Sequence, residues 1–264
     1  MSRGRNVWRL LLIVAGSFLG LPVARPLHAD TALTKEISPL LIPGGIADPD
    51  GTIVYLTNPK AGIDAVQLAT GQLLWTARDM RPLIVAGGRL IAQAAVKDQP
   101  KQFMLAVLDA AQAGTRLAHS EPQTFPEWVS IDGELSHSFA TECRVVGDTL
   151  ILNWRADAWS SGGRSLLSTG EETERKAASG EIRMDLTTGK TVSKFDEKPV
   201  ELTGPAEPRD ATLGAYRVLL GESAEAGAGF SRNIKRSLRA FDAKSGKLLW
   251  EHALAPETVI PPAH

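Results

Sequence analysis

One strand–turn–strand pattern recurs along this chain, and it restricts the fold more than any other feature. Its fullest copy is Ser237-Leu238-Arg239-Ala240-Phe241-Asp242-Ala243-Lys244-Ser245-Gly246-Lys247-Leu248-Leu249-Trp250. A second runs Asp64-Ala65-Val66-Gln67-Leu68-Ala69-Thr70-Gly71-Gln72-Leu73-Leu74-Trp75. Weaker copies stand at Glu181-Ile182-Arg183-Met184-Asp185-Leu186-Thr187-Thr188-Gly189-Lys190-Thr191-Val192 and at Leu105-Ala106-Val107-Leu108-Asp109-Ala110-Ala111-Gln112-Ala113-Gly114-Thr115. In each copy an alternating apolar stretch reads as a strand with one buried face. The Asp, Ser or Thr and Gly that follow are turn chemistry: the polar side chain bonds nearby backbone, and Gly accepts positive φ at little cost. A short apolar strand leaves the turn, so each copy is a β-hairpin. Trp75 and Trp250 lie on that second strand, where a large amphipathic ring reads as a wedge between neighbouring sheets.

Each hairpin has a strand candidate upstream: Gly51–Leu56, Gly88–Ala92, Gly147–Trp154 and Tyr216–Leu220. One less distinct strand before each makes a four-stranded unit, the blade of a propeller. Gly71 and Gly114 are 43 residues apart, close to the ~40–45 of a propeller repeat. The expected fold class is therefore all-β: a propeller-like array of about four four-stranded antiparallel blades. A small or incomplete ring, two half-rings paired as a homodimer, and a truncated reading frame are all open. In the single-domain reading, residues 30–45 help to cover a strand edge.

Two insertions stretch the later intervals, at residues 156–179 and 222–236, and both have loop composition. Function on a rigid scaffold usually sits on such loops. The expected partner-binding residues are Trp159, Gly162, Gly163 and Arg164 in the first, and Arg232, Lys235 and Arg236 in the second. Gly71, Trp75, Asp109, Gly114, Asp185, Gly189, Asp242, Gly246 and Trp250 are expected to be structural.

The hairpins resemble the pyrroloquinoline-quinone-type (PQQ-like) propeller repeat: an alternating strand, Asp, two residues, Thr or Ser-Gly-Lys, then Trp. Asp242–Trp250 matches it closely, and Gln67–Trp75 matches except at the Asp. The third copy lacks the Trp, and the copy ending at Gly114 lacks both hydroxyl and Trp. The resemblance implies kinship with quinone-dependent dehydrogenases, and also with binding scaffolds such as the propeller lipoprotein of outer-membrane protein assembly. For the dehydrogenases it implies a vicinal disulfide near the quinone and a calcium site of Glu, Asn and Asp. Cys143 is the single cysteine, so that disulfide cannot form, and the activity is not carried over.

The first residues point to export. Arg3, Arg5 and Arg9 precede the apolar run Leu10–Leu21, and Leu27-His28-Ala29 offers a cleavage point before Asp30. A basic start, a short apolar core and a small-residue exit make a secretory signal. Residues 1–29 are thus expected to be the signal and 30–264 the repeat domain, periplasmic or extracellular. An uncleaved signal would act as an N-terminal anchor. The formal net charge of −1 argues against nucleic acid, whose binders carry a basic excess.

Catalytic constellations are missing. His119, His137, His252 and His264 have no ligand-like spacing, so neither metal nor cofactor is expected. Asp48 and Asp50 flank a proline and read as a turn. Glu171, Glu172 and Glu174 beside Arg175 and Lys176 read as a solvated face. No G-x-S-x-G or Walker motif occurs. Trp154 alternates with Leu152 and Leu150 and is assigned to the core. Together these readings give a non-catalytic scaffold that binds a protein or envelope component. The alternative is a quinone- or metal-dependent oxidoreductase.

Overall fold

The computed structural model describes residues 35–60, 62–99, 101–129, 137–159, 175–196, 202, 208–226, 232–255 and 257–259. These residues are all-β, and they form four antiparallel sheets of four or five strands, none closed on itself. The short strands β1 (Glu36–Ile37) and β2 (Leu40–Ile42) come first. The first blade is β3 (Gly45–Ala47), β4 (Ile53–Thr57), β5 (Ile63–Gln67) and β6 (Leu73–Ala77). The second is β7 (Met80–Ala86), β8 (Arg89–Ala95), β9 (Phe103–Asp109) and β10 (Arg116–His119). The third is β11 (His137–Val146), β12 (Thr149–Trp159), β13 (Arg175–Asp185) and β14 (Thr191–Asp196). The fourth is β15 (Asp210–Leu213), β16 (Tyr216–Ala226), β17 (Arg232–Asp242) and β18 (Leu248–Ala253). Strand β19 (Glu257–Val259) returns along β17.

Sheets exceed four strands because exposed edges are covered, as an unpaired row of backbone groups requires. Strand β1 pairs with β11, and β2 pairs with β3. Residues 36–42 therefore cross from the first strand of blade 3 to that of blade 1.

Each hairpin turn is closed by its own polar residue. Asp242 Oδ1 accepts from the amide and hydroxyl of Ser245, and Asp185 Oδ1 from the amides of Thr187 and Thr188. In the first blade Gln67 stands in for the Asp, and its Oε1 accepts from the Thr70 hydroxyl.

Three apolar cores join the blades. Val54, Val66 and Leu68 of blade 1 pack with Val218, Leu238 and Ala240 of blade 4. Tyr55, Ile63 and Ala65 pack with Leu90, Ala92 and Leu108 of blade 2. Ile91, Leu105 and Val107 pack with Leu150, Leu152 and Ile182 of blade 3. The blades thus stack in the order fourth, first, second, third, and among the described residues no buried apolar cluster joins blades 3 and 4. On the faces turned away from these cores the two blades carry charged pairs, Arg155–Asp157 and Arg183–Glu181 on blade 3, Arg239–Glu251 and Arg217–Asp210 on blade 4.

Parts of the two insertions correct the loop reading. Residues 156–159 and 175–179 lengthen β12 and β13, and residues 222–226 and 232–236 lengthen β16 and β17. The buried positions there are small, with Ala156 and Ala178 almost fully covered, so the strand period exists without large apolar residues to announce it.

Candidate functional site: a funnel at the base of two long hairpins

The long hairpins β12–β13 and β16–β17 occupy the same connection in blades 3 and 4, between the second and third strands. In blades 1 and 2 that connection is short, from Thr57 to Ile63 and from Ala95 to Phe103. At the base of the arms lies a funnel of about 510 Å³. Its wall comes from the first strands of the blades: Gly44 and Gly45 at the β2–β3 turn, Arg81 and Pro82 on β7, and Thr141, Glu142 and Cys143 on β11. Arg236 on β17 and Leu254 after β18 complete it.

Two glycines shape this wall. A Cβ on Gly45 would stand 2.0 Å from the Tyr55 carbonyl oxygen, and one on Gly44, at φ +75°, would meet the Leu254 side chain at 2.5 Å. The crossing segment can lie against its neighbours only because both side chains are absent.

Among the described residues, the charged residues lining the funnel are Arg81, Arg236 and Glu142. Arg81 is exposed at this wall, and Arg can hold a carboxylate with two parallel hydrogen bonds. Cys143 is buried in the wall, and its Sγ donates to the Leu83 carbonyl at 3.6 Å. Burial, with the Glu142 charge adding to it, pushes its thiol up to about 12. Such a thiol is neutral and a poor nucleophile.

The structure separates the residues expected to bind partners. Arg236 lines the funnel, half-buried, while Lys235, one position earlier, is exposed. The backbone of Arg232 pairs with Ala226 and with Val259, and that of Trp159 pairs with Arg175. Gly162, Gly163 and Arg164 lie outside the described residues. Sequence reasoning missed Arg81 and Glu142. The signal for Arg81 was the proline after it: Pro inside a strand marks an edge, and β7 is the first, edge strand of its sheet.

Other sequence expectations have plain structural places. Asp48 is a turn residue, its Oδ1 accepting from the amides of Thr52 and Ile53. Trp154 is 3% exposed. It anchors an aromatic cluster, with Phe125 edge-on at 5.0 Å and Phe195 stacked at 6.0 Å. Among the described residues no group of three or more His, Cys, Asp or Glu is placed to hold a metal ion.

No protein-family model and no curated protein matches the chain. Among solved structures it is similar to BamB from Moraxella catarrhalis, at 14% identity and a TM-score of 0.27, over 78% of this chain and 62% of that one. It is also similar to the quinohemoprotein alcohol dehydrogenase ADHIIG from Pseudomonas putida HK5, at 13% identity and a TM-score of 0.28, over 87% of this chain and 44% of that one. The chain thus spans less than two thirds of the length of either structure.

Proposed function

We propose that this chain is an exported, non-catalytic scaffold of the PQQ-like repeat type that binds a protein or envelope component. One observation carries the proposal: the two long arms rise from equivalent connections, and a funnel with exposed Arg81 on its wall lies at their base. That arrangement offers a concave surface with extended strand on its rim, suited to an acidic or extended segment of a partner. The residues of the N-terminal signal support export, and the Asp242–Trp250 repeat supports the family resemblance.

The oxidoreductase reading rests on the repeat alone. A quinone site of the kind implied by the resemblance needs two adjacent cysteines and a cluster of Glu, Asn and Asp. Cys143 has no second cysteine to join, and among the described residues Glu142 is the one carboxylate on the funnel wall. These residues do not fit that group.

Site-specific photo-cross-linking in the source organism tests the scaffold reading. A cross-linker at Lys235, on the arm, is expected to capture one defined protein. A cross-linker at exposed Arg116, on the outer strand of blade 2, is expected to capture none. Equal capture from both positions, or none from Lys235, would overturn the proposal.

A further inference from the structure

The four hairpin turns are built alike. Leu68, Ala110, Leu186 and Ala243 each donate their amide to the backbone ahead of the second strand of their own blade, at Thr52, Gly88, Asp148 and Ala215. In two of the four, the carbonyl of that same residue accepts a tryptophan of the preceding blade. Trp250 Nε1 donates to Leu68 O at 2.6 Å, and Trp75 Nε1 donates to Ala110 O at 3.2 Å. The turn glycine lies beneath the ring in both: a Cβ on Gly114 would stand 2.9 Å from Trp75. In blade 3 the backbone of His119 takes the place of the ring, and a Cβ on Gly189 would stand 2.2 Å from its carbonyl oxygen. The turn of blade 4 is the exception. Gly246, at φ +69° against +71° for Gly71, has no described residue within 4 Å of its Cβ position.

We propose that the Ala243–Gly246 turn is a docking seat for a tryptophan carried on an extended strand of a separate protein. Continuity with the interfaces inside the molecule carries the assignment, because the same turn receives an indole ring twice elsewhere in this chain. The seat offers a bare glycine face for the ring and the Ala243 carbonyl for its N–H. Its flanks say more. Gly71 stands between Ala69 and Gln72, whereas Gly246 stands between Lys244 and Lys247, both exposed. Two lysines beside the seat favour acidic residues next to the incoming tryptophan. This chain's own outgoing blade offers no indole there. The residue opposite Arg183, where Trp75 and Trp250 stand opposite Ala65 and Ala240, is Val192. A separate partner is therefore the better occupant than a second copy. The seat is distinct from the funnel, so its failure would leave the funnel reading standing.

The test uses the full chain and a capped peptide of Leu248–Ala253, which carries a tryptophan followed by an acid. Titration is followed through the backbone amide resonances. Shifts are expected at Ser245, Gly246 and Lys247, saturating with peptide. A Trp→Ala peptide is expected to bind about tenfold more weakly or worse, as for a buried aromatic anchor. Gly246→Asn tolerates the left-handed backbone but places a Cβ under the ring, and is expected to lose binding to the same extent. Gly87→Asn, at another open turn glycine, controls for backbone strain and is expected to bind as the parent does. Equal binding by Gly246→Asn, or no shift at millimolar peptide, would overturn the seat. Shifts at Leu68–Gly71 instead would mean displacement of Trp250 and would also overturn it. Self-association of the unmodified chain, abolished by Gly246→Asn, would make the occupant a second copy and overturn the separate partner.

Discussion

Trp250 lies across Gly71 so closely that a Cβ on that glycine would stand 2.5 Å from Trp250 Cγ. The two residues are far apart in sequence, and their contact joins the last blade to the first. Gly71→Ala combines a strained positive φ with loss of this packing, and its expected cost is roughly 3–5 kcal/mol, the range for a large aromatic removed from a packed site. Gly246→Ala carries the same strain with no described neighbour to displace, and is expected to cost about 1–2 kcal/mol. Urea unfolding of the two variants measures the difference. Equal losses would contradict the seam.

The N–H of Trp250 adds a separable part. Trp250→Phe keeps most of the ring and removes the bond to Leu68 O, so about 1 kcal/mol is expected to be lost, as for a typical hydrogen bond. Thermal or urea unfolding detects it.

A second link across the same seam depends on pH. Asp64 accepts from Asn58 Nδ2, Thr76 Oγ1 and the His252 ring, the last at 2.9 Å between blade 1 and blade 4. Burial alone would raise its carboxyl, but these hydrogen bonds hold it below the ordinary carboxylate value. A carboxyl lowered in the folded state stabilises fully above its unfolded value, near 3.9, and the contribution is lost as pH falls through the folded value. Asp64→Asn is therefore expected to be less stable than the parent by about 1–3 kcal/mol at pH 7. That gap should narrow below about pH 4, as pH falls through the folded value. A gap that widened below about pH 4 would contradict the sign.

Cys143 gives a chemical test of the funnel wall. With its thiol pushed up to about 12 by burial, iodoacetamide at pH 8 is expected to modify the folded chain more than about a hundredfold more slowly than the urea-unfolded chain. Mass spectrometry of timed samples follows the reaction. Comparable rates would mean that Cys143 is open to solvent.

The blade hairpins were legible because their chemistry is local: a polar residue (Asp in three copies, Gln67 in the first) and a positive-φ glycine four or five residues on close each turn. The order of blades was not legible, because nothing near Trp250 names Leu68 as its acceptor. The wedge position of blade 2 was hidden by its small residue, Ala118, which lets the backbone of His119 approach Gly189 directly. The arms were hidden for a related reason. Ala156 and Ala158 alternate with Arg155 and Asp157, and Ala178 stands beside Ala177, so hydropathy shows little contrast while the backbone ladder runs on. At the funnel, sequence reasoning reached Arg236 through the basic end of its insertion. Arg81 and Glu142 came from strands that had drawn no attention as functional.

The central claim, a scaffold that needs no bound redox group, is tested most directly by native mass spectrometry of the protein purified from its own host. The expected mass is that of the bare chain beginning at Asp30, alone or with a defined protein partner. An added mass of a quinone and a divalent ion would contradict it and make the chain a redox enzyme.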